Sequence, residues 1–150
     1  MALFLAMVAT SRIAMAGAAP VAERRLLTVG DFTVQAEVAA TAAMRRRGLS
    51  GRAPEAEDVA MLFVFPRAER PCFWMKNTPL PLHLVFIDAQ GVIRQQAELA
   101  PGDERRVCAR QAVRWALEVS ARSPGVQQLR VGRQVQGLPK LASPGRWSHP

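Results

Sequence analysis

Residues 73–83 read Phe-Trp-Met-Lys-Asn-Thr-Pro-Leu-Pro-Leu-His, and two apolar runs flank them at residues 61–65 and 82–87. Short continuous apolar runs are typical of buried strands. Between them, Lys76, Asn77 and Thr78 bring an ammonium, an amide and a hydroxyl group to consecutive positions. The stretch therefore predicts a polar corner between two buried strands. Such a corner can be a ligand site or a structural turn whose side chains bond the nearby backbone.

Composition favours one folded, β-rich domain. The chain has 150 residues, 49% of them hydrophobic, which is enough to bury a core and argues against disorder. Eleven Pro and ten Gly indicate many turns. We predict a mainly β, sandwich-like single domain with one or two short helices, and the periodicity places its strands at residues 26–29, 32–38, 61–65, 72–75, 82–88, 92–99, 113–120 and 134–136.

Local signals define the ends of several elements. Thr41 is a predicted N-cap of a helix over residues 42–47, which Gly48 ends. Pro66 is expected to close the strand at 61–65. Residues 89–91 predict a hairpin turn capped by Asp88. Residues 110–119 also fit a helix, and a helical turn is predicted from Pro124 to residue 129 with Ser123 as its N-cap.

The charge balance is strongly basic, with a formal net charge of +8 and a sequence pI near 11.3. Such a balance permits attraction to nucleic acid or to acidic polysaccharide. The Arg residues are scattered along the chain, however, and the one triplet, residues 45–47, is too short to act as a nucleic-acid arm. The pattern favours a solvated basic surface over a nucleic-acid partner.

The N-terminal residues predict an export signal. Residues 1–10 form an apolar run that is too short to span a bilayer, and cleavage sites of the A-x-A type follow at Ala16 and Ala18. No Lys or Arg precedes the run, so a cytoplasmic protein is the alternative. We interpret residues 1–18 as a signal peptide and residues 137–150 as a loose tail, and expect the mature, exported (periplasmic or extracellular) protein to contain no membrane span.

Cys72 and Cys108 are the two cysteines of the chain. In an oxidising compartment they can form one disulfide, and two buried thiols are the alternative. A zinc site is disfavoured because no C-x-x-C spacing exists and His83 is the one histidine nearby. A nucleophile that combines either cysteine with His83 is disfavoured too. We predict no cofactor and no metal.

The order of these motifs resembles the domain of unknown function 192 family, a group of largely uncharacterised bacterial and archaeal proteins. The resemblance covers residues 25–136 and rests on blocks at residues 47–49, 61–65, 73–78, 81–82, 86–88, 91–93 and 117–118, and at Gly132. It implies a mainly β, sandwich-like fold, and many members carry export signals. Three positions depart from the family pattern: His83 and Arg133 stand where acidic residues are common, and Arg122 stands where Gly is usual.

Seven residues form the predicted ligand site, namely Arg47, Trp74, Lys76, Asn77, Thr78, His83 and Glu118. Their donors suit an anion or a sugar-like ligand, and an indole can stack on a sugar ring. For Trp74, packing in the core is the favoured interpretation. Glu118 lies in an apolar strand, so if buried it needs a cation, and Lys76 and Arg47 are the candidates. His83 is expected on the face opposite Leu82 and Leu84.

Three functions remain open from the sequence. The favoured one is a non-catalytic binding or accessory protein for a small polar or carbohydrate ligand or an envelope partner. The second is a hydrolase acting on an envelope polymer, which is disfavoured because no paired-carboxylate, triad or metal motif is recognisable, and no catalytic residue is assigned. The third is a cytoplasmic, nucleic-acid-associated basic protein.

Overall fold

Over residues 22–53 and 58–140, the part of the chain that the computed structural model describes, the protein is mainly β, as predicted. The predicted signal peptide and residues 141–150 of the predicted tail lie outside the described residues. The elements are β1 (Arg24–Val29), β2 (Phe32–Ala39), α1 (Ala42–Arg47), β3 (Ala60–Glu69), β4 (Cys72–Phe73), β5 (Leu82–Ile87), β6 (Ile93–Leu99), β7 (Val107–Cys108), β8 (Val113–Ser120) and a 3₁₀ turn at Val126–Gln128. Among these residues no helix has the length and apolar character needed to cross a membrane.

Six strands form the main sheet, in the order β1-β2-β3-β8-β5-β6. β2 and β3 pair in parallel, and the other neighbours are antiparallel. A parallel pair needs a crossover connection, and α1 lies in it. Thr41 caps this helix by accepting a 3.2 Å hydrogen bond from the Met44 amide, and Gly48 ends it, as predicted.

The two edges of the sheet are joined by one segment near the end of the domain. Gln136 bridges Thr28 of β1, and Gln134 bridges Val92, which precedes β6. Because β1 and β6 are opposite edges, the sheet has to curl for both bridges to form. Residues 134–136 therefore make single bridges to two edges rather than the continuous strand that the periodicity predicts.

Each face of the sheet carries its own apolar cluster. The alternation of side chains along β5 and β8 sends one set of residues to each side, and all six residues of β5 are buried. The inner cluster packs inside the curl and includes Leu27, Leu62, Val85, Trp115, Leu117 and Leu129. The outer cluster lies beneath α1 and the residues 73–80 and includes Met61, Phe63, Met75, Leu80, Leu84 and Phe86.

A small second sheet, β4 with β7, lies over the outer cluster. Cys72 faces Cys108 in this antiparallel pair, and the two form a disulfide. Beside it, the Phe73 ring meets Phe63 and Phe86 edge-on, with centroid distances of 4.8 and 5.7 Å. The disulfide thus joins the two strands of the small sheet, and the aromatic contacts fasten Phe73 to the main sheet.

Pro66 does not close β3, contrary to the prediction. The strand continues to Glu69, and its pairing with β8 shifts register between Val64 and Glu69. Proline is tolerated at such an irregularity because no ladder bond is required there. Arg114 satisfies the carbonyls left over, donating from Nε to the Phe65 oxygen and from Nη2 to the Pro66 oxygen, both at 3.2 Å.

The C-terminal half contains one strand and one 3₁₀ turn whose boundaries the sequence left open or placed differently. Residues 113–120 form a strand, so the helical alternative over 110–119 is wrong. The 3₁₀ turn begins after Gly125, which stands at its N-cap with a φ of 84° and gives no side-chain cap. Ser123 is therefore not the N-cap, because the left-handed backbone at Gly125 prevents a helix from running on from Pro124.

Removing the disulfide should destabilise the domain. Replacing Cys72 and Cys108 together with Ser opens a loop with a sequence separation of 36. The chain-entropy model then gives a loss of about 4 kcal/mol in the free energy of unfolding. Urea unfolding of the double variant and of the oxidised and reduced wild-type protein measures it, and equal midpoints for all three would contradict the expectation.

Candidate functional site

A pocket of about 620 Å³ opens between α1, the turn that follows it and the Trp-Met-Lys-Asn-Thr motif. Six of the seven predicted site residues line it: Arg47, Trp74, Lys76, Asn77, Thr78 and Glu118. The wall is completed by Arg45, Arg46, Phe63, Phe65, Glu69, Cys72 and Phe73, among others. Volumes of this size are usual for sites that take small molecules.

The polar corner of the motif is a tight turn. The Thr78 amide donates to the Met75 carbonyl at 3.0 Å, and Asn77 between them has a φ of 54°. A positive φ at the third residue of a turn favours Gly or Asn, because Asn tolerates the left-handed region. The sequence therefore contains the residue type that this backbone needs.

Backbone hydrogen bonds anchor the turn on both sides. The Gly51 amide donates to the Asn77 carbonyl at 2.8 Å, and the Gly102 amide donates to the Thr78 carbonyl at 3.1 Å. The Thr78 hydroxyl donates to the Lys76 carbonyl at 3.3 Å, which matches the structural interpretation of that residue. The side chains of Lys76 and Asn77 have no hydrogen bond to any described residue, and both residues are exposed. The turn is thus fixed while two of its side chains are left facing the pocket.

Trp74 is not a core residue, contrary to the prediction. It is 50% exposed, whereas its neighbour Met75 is 1% exposed. The outer cluster takes Met75 and Phe73 instead, because alternating residues of an extended segment point to opposite sides. The guanidinium carbon of Arg106 lies 4.8 Å from the centre of the Trp74 ring, a cation–π contact.

Helix α1 brings three cations to the pocket, and they differ in role. Arg45 is a structural residue: its Nη1 donates to the carbonyls of Ala40 at 2.6 Å and Val64 at 2.9 Å. Arg46 and Arg47 are exposed at the rim and have no ion pair or hydrogen bond with any described residue. Together with Lys76 they give the rim positive charge that the described part of the protein does not neutralise.

Glu118 lies at the floor of the pocket and is 4% exposed. On β8 it pairs with Met61 of β3 and Leu84 of β5, so its strand neighbours are apolar. Within the described ranges its carboxyl group has no hydrogen bond and no ion pair. The predicted partnership with Lys76 or Arg47 is wrong, because both cations remain in water at the rim. Burial alone raises the pKa of Glu118 to about 8.

His83 lies away from this pocket, on the inner face of the sheet as its alternation with Leu82 and Leu84 predicts. Its Nε2 hydrogen-bonds the Leu129 carbonyl at 2.7 Å, and its Nδ1 hydrogen-bonds the Glu98 carboxylate. Both ring nitrogens are therefore occupied. His83 and Glu118 therefore lie on opposite faces of the sheet. A hydrolase site that combined these two residues would need them side by side.

Asp88 also lies outside the pocket. Its Oδ1 accepts hydrogen bonds from the amides of Gln90 and Val92, both at 2.9 Å. The prediction that Asp88 caps the turn before Gly91 is confirmed. In residues 22–53 and 58–140, no group of three or more His, Cys, Asp or Glu side chains is placed to hold a metal.

Sequence reasoning missed Arg46, Glu69 and Phe73, which line the pocket, and Arg106, which does not line it but contacts Trp74. Arg46 stands next to the predicted Arg47, and both follow from the position of α1. Arg106 reaches Trp74 because β4 pairs with β7, Phe73 opposite Val107. The pair of cysteines next to these positions was the one signal that could have brought them together.

Comparison with known proteins places the chain among uncharacterised relatives. A family model described as Uncharacterized ACR, DUF192, matches residues 25–137. A solved structure of a putative transcription regulator from Sinorhizobium meliloti is similar, with a TM-score of 0.70 and 28% identity over 77% of this chain and 95% of that chain. No match was found among curated proteins.

A second solved structure, a protein of unknown function from Novosphingobium aromaticivorans, has a TM-score of 0.65 and 23% identity. The match covers 85% of this chain and 99% of that chain. At this identity it shows the fold alone.

The buried carboxyl group predicts a pH-dependent stability. The Glu118 pKa rises from 4.5 to about 8 on folding, so between these values the folded state binds a proton that the unfolded state has lost. Stability should therefore fall as pH rises through this window, by on the order of 5 kcal/mol in total. Glu118→Gln keeps the size of the side chain but does not titrate.

Urea unfolding of both proteins between about pH 5 and pH 8 measures the effect. We expect the free energy of unfolding of the wild type to decline relative to that of Glu118→Gln. Parallel pH curves would show that Glu118 ionises in the folded protein as it does in water.

Proposed function

The chain belongs to the domain of unknown function 192 family, and we propose that it is a non-catalytic binding protein whose pocket takes a small anionic or sugar-like ligand. One observation carries this proposal: residues from α1, from the turn at residues 75–78 (the motif turn) and from β8, far apart in the sequence, line a single open pocket. A turn serving structure alone would not need an open cavity beside it.

The charge of the rim favours an anionic group on the ligand. Arg46, Arg47 and Lys76 surround the mouth without partners among the described residues, while Glu69 is the one exposed acid in the lining. Guanidinium and ammonium groups donate charge-assisted hydrogen bonds to carboxylates and phosphates. A cationic ligand would meet repulsion here.

The aromatic wall favours a ring with a flat apolar face. Trp74 is half exposed at the mouth, and Phe63, Phe65 and Phe73 lie deeper in the lining. A sugar ring combines such a face with hydroxyl groups that Asn77 and Thr78 can bond. This combination supports a carbohydrate over a purely inorganic anion.

The other two functions receive less support. A hydrolase would need a second group beside Glu118, and His83 is on the other face of the sheet. Nucleic-acid association would agree with the assignment of the Sinorhizobium meliloti protein as a putative transcription regulator. The α1 helix is only six residues long, however, and a recognition helix of that kind would be short for a DNA groove.

Export is part of the proposal. The Cys72–Cys108 disulfide supports it, because such bonds persist in oxidising compartments. We expect the protein isolated from its natural host to begin after Ala16 or Ala18, which N-terminal sequencing and intact mass will show. Recovery of the unprocessed chain from the cytoplasm would contradict export and favour the cytoplasmic alternative.

The pocket residues should affect binding without affecting stability. We expect Lys76→Ala and Asn77→Gly each to weaken any ligand found in a screen of sugars, sugar acids and short oligonucleotides by about tenfold, the loss of one hydrogen bond to a charged group. The free energy of unfolding should change by no more than about 0.5 kcal/mol, since both side chains are exposed. Glycine at position 77 also accepts the positive φ of the turn.

Arg130→Ala is the matched control, because Arg130 is exposed and does not line the pocket. Calorimetry and urea unfolding of the three variants measure both quantities. Unchanged affinity in the pocket variants would contradict the binding proposal. A clearly lower free energy of unfolding in the pocket variants, with no ligand found, would instead assign the motif a structural role. Binding of oligonucleotides alone would favour the nucleic-acid alternative.

A further inference from the structure

We propose that the ligand is a sugar acid whose ring hydroxyl groups contact the carboxyl group of Glu118 at the pocket floor, while its carboxylate lies among the cations of the rim. This inference rests on the proposed binding function and adds the ligand class and the role of the floor residue.

The position of Glu118 calls for a partner from outside the protein. A carboxyl group that is 4% exposed, lines a cavity and has no bonding partner in the described ranges is costly to bury. The side chains of its strand neighbours, Met61 and Leu84, are apolar and cannot form a strong hydrogen bond or ion pair with its carboxyl group. Replacing it with an apolar residue would remove this cost, so its presence is accounted for by a partner that enters the pocket from outside.

The charge around the floor is mostly positive and favours an anionic ligand. Four cationic residues face the pocket above Glu118, Arg45 to Arg47 from α1 and Lys76 from the motif turn, and Glu69 from the end of β3 is the one other acid. A cationic ligand for Glu118 would have to pass this rim. A neutral part of an anionic ligand meets no such barrier, and its charged part is attracted.

A protonated carboxyl group has the hydrogen-bonding capacity that a sugar hydroxyl needs. It donates one hydrogen bond and accepts others, which matches a sugar hydroxyl that does the same. Because burial raises the Glu118 pKa to about 8, the protonated form predominates at neutral pH. A ligand that requires this proton should bind less well as pH rises through that value.

The geometry leaves room for both ends of such a ligand. The cavity of about 620 Å³ runs from Glu118 to the exposed Trp74, Lys76 and Arg47. In the proposed arrangement, the hydroxyl edge of a single sugar ring contacts Glu118, its flat face lies against the aromatic wall and its carboxylate lies at the mouth. Charge and hydroxyl groups are then recognised at opposite ends of one pocket.

Matched probes separate these two contributions. Glucuronate and galacturonate carry both groups, glucose and galactose only the hydroxyls, and cyclohexanecarboxylate only the charge on a ring of the same size. We expect at least one of the two sugar acids to bind the full chain about tenfold or more tighter than its neutral sugar and than cyclohexanecarboxylate, as measured by calorimetry. The affinity should be about tenfold lower at pH 9 than at pH 7.

Two variants test the role of Glu118 itself. Glu118→Gln keeps a donor and an acceptor, so it should bind the sugar acid within about threefold of the wild type at pH 7. Its affinity should not share the decline of the wild type at pH 9, and this comparison subtracts any titration of the surrounding groups. Glu118→Leu removes both hydrogen-bonding functions and should lose about tenfold or more.

The outcomes distinguish this inference from the proposed function. Equal binding of cyclohexanecarboxylate and the sugar acids, or an unaltered Glu118→Leu, would overturn the floor contact and leave an anion site at the rim. Failure of both sugar acids to bind would overturn the ligand class, and insensitivity of every bound ligand to Lys76→Ala would overturn the pocket as well. If Glu118→Leu does not fold, identical pH profiles for wild type and Glu118→Gln would by themselves refute the inference.

Discussion

The pairing of β8 with β3 on one side and β5 on the other is the constraint on which the rest of the protein depends. β5, β8 and residues 60–65 of β3 are buried almost throughout, so each must supply apolar side chains in both directions. Once this register is set, Trp115 and Leu117 point into the curl of the sheet, and Ala116 and Glu118 point towards α1. The position of Glu118 is therefore set by the pairing of β8 with β3 and β5, and no contact of its own side chain is needed to hold it there.

The elements around Glu118 are held in place by contacts that do not involve Glu118. The motif turn is fixed by backbone hydrogen bonds to residues 51, 102 and 103, and β4 is fixed by the disulfide to β7. The side chains that face the pocket contribute little to these anchors. This division keeps the walls rigid while Lys76, Asn77 and Arg47 have no side-chain partners among the described residues. Ordering the long Lys76 and Arg47 side chains against any bound group would cost conformational entropy, whereas the walls would add little to that cost.

Sequence reasoning succeeded where the physical cause is local. Thr41 and Gly48 mark the ends of α1 because capping acts within one helical turn, and the residues around Asn77 share a site because they are adjacent in the chain. It failed where distant segments decide the outcome. Pro66 does not end β3, because Arg114 on another strand satisfies the carbonyls, and Arg106 reaches Trp74 only through the pairing of two short strands. The sequence pattern placed Glu118 in an apolar strand. It gave no information on the distance between the Glu118 carboxyl group and the cations.

The bridges made by Gln134 and Gln136 have a consequence for the order of events during biosynthesis. The residues that join the two edges are among the last of the domain to leave the ribosome, so β1 and the start of β6 wait without this partner until then. Until then, both edges of the sheet present backbone N–H and C=O groups that lack these bridges. Closure of the sheet is thus postponed until the last residues of the domain have been synthesised.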